Sequence, residues 1–397
     1  MLILLGVYTM QQLSFIQNVL ISFIVLLFFS ACQSTVVKTP SEQLLYDQGF
    51  SGFSEISIET EQEVFHLDKT AKAFVVSTIG SLDNKIDQME VLVKAIFDRS
   101  QLNLLYQSDA NTIANNTFHS QAANCLSMSI MTYALATEAG FDVDFQEIMI
   151  PEYWTRREGF SLLNGHINIK MRAPKQANVF EFNRRSYQVD FDPQSARRGF
   201  PKKIVSKQAV LSMFYNNKGA DAFLLKDYVS AYSYFREAVM VKPNFHSGWV
   251  NIGITYRLSG YFSQAEKAYQ HALAINPDSL TALENLAYLY KFTGRNVESE
   301  KILATVEKKR NNNPYYHVNL GEQQMEQKHW DQALAHFRRA LALDRGKHEV
   351  YFGLARAYFE IGELQQSERY LKQAKNKALN KHDEDMYQSK LEFLSSF

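Results

Sequence analysis

The C-terminal half of this 397-residue chain repeats itself with a period of 34 residues, and that period limits what the chain can fold into. A repeat start at 246, stepped by 34 in both directions, gives starts at 212, 246, 280, 314 and 348, and every window aligns without a gap. The second window carries Trp249, Gly253, Tyr256, Ala265, Tyr269, Ala272 and Pro277. The first carries Gly219, Ala231, Phe235, Ala238 and Pro243, and the fourth Leu320, Gly321, Ala333, Phe337 and Ala340. The fifth has Tyr351, Leu354, Ala355, Tyr358 and Ala374. The third has Leu283, Leu286, Ala287 and Tyr290, and it departs most from the rest, with Ser299 and Val306 at small positions and Asn311 where a proline is expected. Small residues let two helices approach, and large ones fill the gap to the next window. No single window can bury its own apolar face, so the segment must fold as a stack.

This pattern resembles the tetratricopeptide repeat. The resemblance implies five helix pairs over residues 212–381, coiled into a superhelix whose concave face binds a protein or peptide partner. Residues 382–397 place Met386, Phe393 and Phe397 on one side of a helix, which reads as a cap on the last repeat. Asn251, Asn285 and Asn319 recur at the sixth position of their windows. In peptide-binding arrays that position can face the groove and bond a peptide backbone, so the three asparagines are candidate partner-binding residues. The alternative is that asparagine is simply common there.

The N-terminus tells a separate story. Residues 1–37 carry no charged side chain, and Leu20–Phe29 is almost wholly apolar, as in a signal peptide spanning residues 1–31. The sequence Phe29-Ser30-Ala31-Cys32 resembles the lipobox of bacterial lipoproteins. That resemblance implies acylation of Cys32, attachment to a membrane through the lipid, and a place in the cell envelope. Gln33 at the next position, rather than Asp, points to the outer membrane with the chain facing the periplasm. Phe29 stands where Leu is usual, and a basic n-region is missing; a start at Met10 gives a signal of ordinary length. The rival reading is an uncleaved transmembrane anchor over Leu13–Ala31. Residues 32–45 are polar with one proline and read as a tether.

Between about 46 and 205 the periodicity changes. Met89–Phe97 has helical spacing, and Asn124-Cys125-Leu126-Ser127 opens an apolar run that ends at Gly140. Cys125 is therefore expected in the first turn of a buried helix, where free amides and the helix dipole stabilise a thiolate. Val143–Met149 has strand character, followed by an expected loop holding Pro151, Trp154, Arg156 and Arg157. His166–Met171 and Ser186–Phe191 alternate as strands do. The order is thus Cys on a helix, His at a strand start, and Asp190 near a strand end.

These segments, with Glu138-Ala139-Gly140-Phe141 and Val189-Asp190-Phe191, resemble a bacterial transglutaminase-like domain over residues 85–200. The fold expected is an α+β transglutaminase-like domain over 46–205, followed by the all-α repeat solenoid. The implied triad is Cys125 as nucleophile, His166 as general base and acid, and Asp190 to orient the imidazole. Asp192 is the rival for the last role. Water as acceptor gives hydrolysis or deamidation of a protein or peptide amide, and an amine gives transamidation.

Composition narrows the remaining classes. Lys+Arg and Asp+Glu are both 42, so the chain lacks the basic surplus of a nucleic-acid binder. Two cysteines exclude a disulfide-stapled scaffold and a zinc site built on several cysteines. Glycine-rich phosphate loops and metal motifs are missing, so neither a cofactor nor a metal is expected. The readings carried forward are a lipid-anchored cysteine hydrolase or acyltransferase whose repeats bind substrate or partner, an inert adaptor that assembles an envelope or secretion complex, and a structural lipoprotein that bridges partners.

Overall fold

A computed structural model describes residues 42–97, 105–107, 109–120, 122–174, 185–191, 200–378 and 381–395. Residues 1–31, Cys32, most of the tether, Asp192 and Phe397 lie outside the described residues.

The first part of the chain is mixed. Helices α1 (Glu61–Val64), α2 (Lys69–Ile79) and α3 (Lys85–Phe97) are followed by strand β1 (Leu105–Tyr106), helix α4 (Ala114–Ser120), strand β2 (Ala122–Ala123) and helix α5 (Cys125–Glu138). Strands β3 (Asp142–Arg157), β4 (Phe160–Arg172), β5 (Ser186–Val189) and β6 (Lys202–Val205) form one antiparallel sheet in the order β5-β4-β3-β6. Helix α5 is apolar all round, and its buried residues run from Leu126 to Ala136, so it is a core helix. At its end Phe141 N–H reaches Ala136 O at 3.0 Å and Gly140 N–H reaches Thr137 O at 2.9 Å. Gly140 takes φ +77°, the left-handed residue that this helix ending requires.

The segment expected as a loop after Met149 is instead the far half of a long hairpin. Strands β3 and β4 pair along their lengths and meet at a two-residue turn, Glu158 (φ 48°) and Gly159 (φ 77°). Two successive positive φ values match the twist of the flanking strands. A register shift between Ile148 and Tyr153, with Pro151 inside it, divides the hairpin into a base next to α5 and an arm of residues 153–164. Pro151 cannot donate to the ladder, which is why the pairing breaks there.

The helical half follows the sequence period. Helices α6 (Lys207–Leu224), α8 (His246–Leu258), α10 (Leu280–Phe292), α12 (Pro314–Glu326) and α14 (His348–Glu360) are the first helices of the five repeats. Helices α7 (Tyr228–Val241), α9 (Phe262–Ile275), α11 (Asn296–Arg310), α13 (Trp330–Leu343) and α15 (Leu364–Lys377) are the second. The last helix, α16 (Lys381–Leu394), covers α15. Helix α6 starts at Lys207, ahead of the expected 212, because Ser206 caps it by accepting from Ala209 N–H.

The small and large positions meet as expected. A Cβ on Gly253 would lie 2.5 Å from the Tyr269 ring, and one on Gly219 2.6 Å from the Phe235 ring. Phe337 is held between Gly321 and Gly353 in the same way. In the divergent third repeat, Ser299 fills its small position by donating to Ala287 O at 2.8 Å, and Val306 is buried.

The mixed part and the first repeat share one core. Val75, Leu92, Leu135, Phe145 and Ile169 pack in a single cluster with Val210, Phe214 and Tyr215 of α6 and Ala238 of α7. Residues 46–55 clasp the first two repeats from another side. Phe50 stacks on Tyr232 at 4.3 Å, Tyr46 N–H donates to Tyr256 Oη at 2.7 Å, and Arg236 Nε donates to Asp47 Oδ1 at 2.9 Å.

Candidate functional site

Cys125 is the first residue of α5, and Asn124 caps that helix. Asn124 Oδ1 accepts from Ser127 N–H at 2.9 Å, and Asn124 N–H donates to Ala110 O at 3.2 Å. Ser127 Oγ accepts from Thr112 N–H at 2.9 Å. The capped end leaves the amides of the first turn clustered beside the thiol, where negative charge is stabilised.

His166 stands at the base of β4, opposite Ile148. Ile167, Ile169 and Met171 enter the hydrophobic core, so alternation puts His166 and Asn168 together on the other side of the strand. Ser129, one turn along α5 from Cys125, donates to Ile167 O at 3.4 Å and ties the helix to the strand that bears His166. Asp190 follows β5 directly, one residue beyond the Ile169–Val189 pair, so the register sets it beside Asn168.

The distances join these residues. His166 Nε2 and Asp190 Oδ1 are 2.7 Å apart, and Asn168 Nδ2 donates to Asp190 Oδ2 at 2.9 Å. His166 is 6% exposed and Asn168 fully buried. Cys125 lies near enough to the imidazole to act on its charge together with Asp190. Burial works against the imidazolium, but the hydrogen bonds from Asp190 and Cys125 and their charges outweigh it and push the His166 pKa up to about 10. The arrangement is a thiol at a helix N-terminus, an imidazole and a buried carboxylate in series. It has the parts needed to move a proton between the thiol and a leaving group.

Asn168 was not among the candidates from sequence, although the spacing His166-x-Asn168 on an alternating strand was a usable signal. The other histidines near Cys125 in sequence stand apart from this set. His119 pairs with Asp68 at 2.8 Å, far along α4. Trp154 packs against Tyr316 and under the Arg310 guanidinium, 4.8 Å from its ring, as a structural aromatic.

The three asparagines of the repeats go different ways. Asn251 donates to Asn216 Oδ1 at 2.8 Å and Asn285 to Thr281 O at 2.9 Å, both inside the array. Only Asn319 meets a segment from outside the repeats, accepting from Ser161 Oγ at 2.8 Å, and that segment is the chain's own arm. The arm reaches α6 and α12, the first helices of the first and fourth repeats. At its tip Arg157 Nη1 donates to Asp221 Oδ1 of α6 at 3.1 Å, and Phe160 packs edge-on against Phe223 at 5.2 Å. Further down, Arg156 Nε donates to Glu326 Oε1 of α12 at 3.0 Å.

At the root of the arm, Arg310 Nε and Nη2 donate to the two Glu152 oxygens at 2.8 and 3.1 Å, and Nη1 donates to Glu284 at 2.9 Å. Arg310 is 2% exposed. Nothing in the sequence pattern marked Arg310 or Glu152, because their pairing spans 158 positions.

Among the described residues, no group of three or more His, Cys, Asp or Glu side chains is placed to hold a metal ion, and no helix is long and apolar enough to cross a membrane.

Comparison with known proteins identifies the helical part. A family model described as tetratricopeptide repeat matches residues 256–320 and 324–390. Over 139 residues the chain is 25% identical to superkiller protein 3 of Schizosaccharomyces pombe, covering 33% of this chain and 10% of that protein. Over 122 residues it is 28% identical to the N-terminal acetyltransferase A complex auxiliary subunit NAA15 of Arabidopsis thaliana, covering 29% of this chain and 13% of that protein. The chain therefore spans about a tenth of the length of the curated relatives it matches. Among solved structures, MamA is similar at 17% identity with a TM-score of 0.25, covering 42% of this chain and 91% of that one. YrrB, a TPR protein with an unusual peptide-binding site, is similar at 12% identity with a TM-score of 0.25, covering 45% and 92%. The C-terminal half of this chain carries tetratricopeptide repeats.

Proposed function

We propose that the protein is an adaptor, a repeat scaffold that binds protein partners at the cell envelope. The observation that carries this reading is the uninterrupted stack of five helix pairs at 34-residue spacing, an architecture whose repeated faces serve extended protein contacts. The lipobox-like Phe29-Ser30-Ala31-Cys32 supports anchoring through a lipid on Cys32, with the chain facing the periplasm from the outer membrane. Two acyl chains suffice for stable attachment. The adaptor reading is tested in cells that make the protein, by cross-linking its complexes in Cys125→Ala and in variants of the repeat face. Complexes that survive Cys125→Ala and are lost with the repeat variants support it. Complexes that vanish with Cys125→Ala alone overturn it.

A second reading is favoured by one observation, the 2.7 Å contact of His166 and Asp190 beside a thiol at a capped helix start. In it, residues 46–205 are a transglutaminase-like domain acting on a protein or peptide amide. His166 already holds a proton at neutral pH, so Cys125 attacks the carbonyl carbon as a thiolate. His166 then protonates the leaving amine, and water or a second amine releases the acyl group from sulfur. The first-turn amides of α5 face the developing oxyanion. Iodoacetamide labelling of Cys125 in the folded chain should be fast and should drop in His166→Ala. Equal labelling of the two proteins points to an inert thiol.

A further inference from the structure

The face of α12 and the end of α11 already has an occupant. The arm packs mainly on α12 and the end of α11, with its tip on α6, and Asn319, a position expected to face a bound segment, is among the residues it covers. Its recognition groups are regularly placed. Glu152, Trp154 and Arg156 alternate along β3, and each meets a complement on the array. Glu152 meets Arg310, Trp154 meets Tyr316 and the Arg310 guanidinium, and Arg156 meets Glu326. Ser161, on the returning strand, adds the bond to Asn319.

The tip of the arm is also joined to the thiol helix. Asp221, which holds Arg157, accepts from Asn111 Nδ2, and Asn111 Oδ1 accepts from Asn124 Nδ2 at 2.5 Å. Asn124 is the cap of the helix that begins with Cys125. A continuous chain of side-chain hydrogen bonds therefore runs from the arm through the first repeat to the start of α5.

We propose that the face built from Arg310, Tyr316, Asn319 and Glu326 is a receptor for a β-strand carrying carboxylate, aromatic and guanidinium groups at alternate positions, and that this chain occupies it with its own arm. A partner protein presenting an edge strand of the type Glu-x-aromatic-x-Arg takes the face by displacing the arm. Displacement withdraws Arg157 from Asp221 and loosens the cap of α5. The consequence of that loosening for chemistry rests on the thiol reading given above; the receptor and the coupling do not.

A tethered arm competes at an effective concentration on the order of millimolar, so a free strand should gain the face only when the arm is weakened. The test uses the full chain and a head-to-tail cyclised, fluorescent peptide of residues 151–162, followed by anisotropy. The Glu152→Gln, Arg156→Gln chain should bind the peptide at least tenfold tighter than wild type, and adding Arg310→Gln should cancel the gain. Equal binding by wild type and the weakened chain, or binding by neither while circular dichroism shows both folded, overturns the receptor. A milder variant, Arg156→Gln alone, keeps the comparison open if the double variant fails to fold.

The coupling is read by hydrogen exchange at Leu126 and Ser127, which needs no reactive thiol. Exchange there should speed up by about fivefold in the weakened chain, the factor that goes with one lost capping bond. Unchanged exchange overturns the coupling and leaves the receptor standing. An unreactive Cys125 in every chain overturns the thiol reading and neither of these.

Discussion

Asp190 Oδ1 sits 2.7 Å from His166 Nε2, and the bond is braced from behind by Asn168 at 2.9 Å. Because the imidazole is buried, this pair controls how its charge responds to pH. The His166 pKa rises from the ordinary 6.5 to about 10 on folding, through hydrogen bonds and charge from Asp190 and Cys125 that outweigh burial. A raised folded value means that the pair contributes its full stability below about pH 6.5 and loses it as pH climbs through about 10. Urea midpoints measured across that window should fall in wild type and fall less steeply in Asp190→Asn. Parallel slopes in the two proteins count against the pair.

The cap of α5 should be worth measuring separately from the thiol. Asn124→Ala removes the bond to Ser127 N–H and should cost about 1 kcal/mol of unfolding free energy. Asn124→Asp keeps an acceptor at that position and should recover most of the loss. A neutral Asn124→Ala in urea unfolding speaks against the cap.

Arg310 is the polar hub between the arm and the array, buried with two carboxylates around it. Arg310→Met should destabilise the protein by about 2 kcal/mol, because Glu152 and Glu284, each only partly exposed, lose the guanidinium they share. Adding Glu152→Gln and Glu284→Gln should restore part of that loss, since the stranded charges are then gone. A triple variant no more stable than Arg310→Met alone contradicts this account.

Phe337 is gripped by two glycines, one in its own repeat and one in the next. Phe337→Ala should cost about 3–5 kcal/mol through the cavity it leaves. Gly353→Ala should cost about 1–3 kcal/mol through overpacking, because the new Cβ would lie 2.5 Å from the ring. Combined with Phe337→Leu, the glycine variant should be partly relieved, and thermal unfolding of the single and double variants measures that coupling. Strict additivity shows that the ring and the glycine do not meet.

The repeats were legible because their contacts are local. A 34-residue window specifies its own small and large partners, so Gly253 facing Tyr269 and Gly321 facing Phe337 could be read from spacing alone. The start of α5 was legible for the same reason, since Asn124, Ser127 and Gly140 act within a few residues of the helix they bound. The order Cys125, His166, Asp190 was visible too, but the contact of His166 with Asp190 depends on a strand register that brings Asp190 beside Asn168.

The arm is a strand pair where the sequence reads as a loop. Its sequence, with Pro151 and several charges, lacks the clean alternation of a half-buried strand. It is held as a strand by a partner strand, a tight turn and a face of helices that follow it in sequence. That face changed the reading of the asparagines as well: Asn319 has the position expected of a peptide-binding residue, yet its ligand is Ser161.

The sequence by itself determined the periodic stack, the capped helix with a cysteine at its start, and the order Cys, His, Asp, because each is encoded by neighbours within one window or one element. Only the tertiary structure decided that the mixed part and the first repeat share a core, that Arg310 meets Glu152, and that the arm covers Asn319. Those outcomes join residues from different elements, up to 158 positions apart, where no local spacing carries the information and the pairing is set by which buried charges and apolar faces find complements in the folded chain.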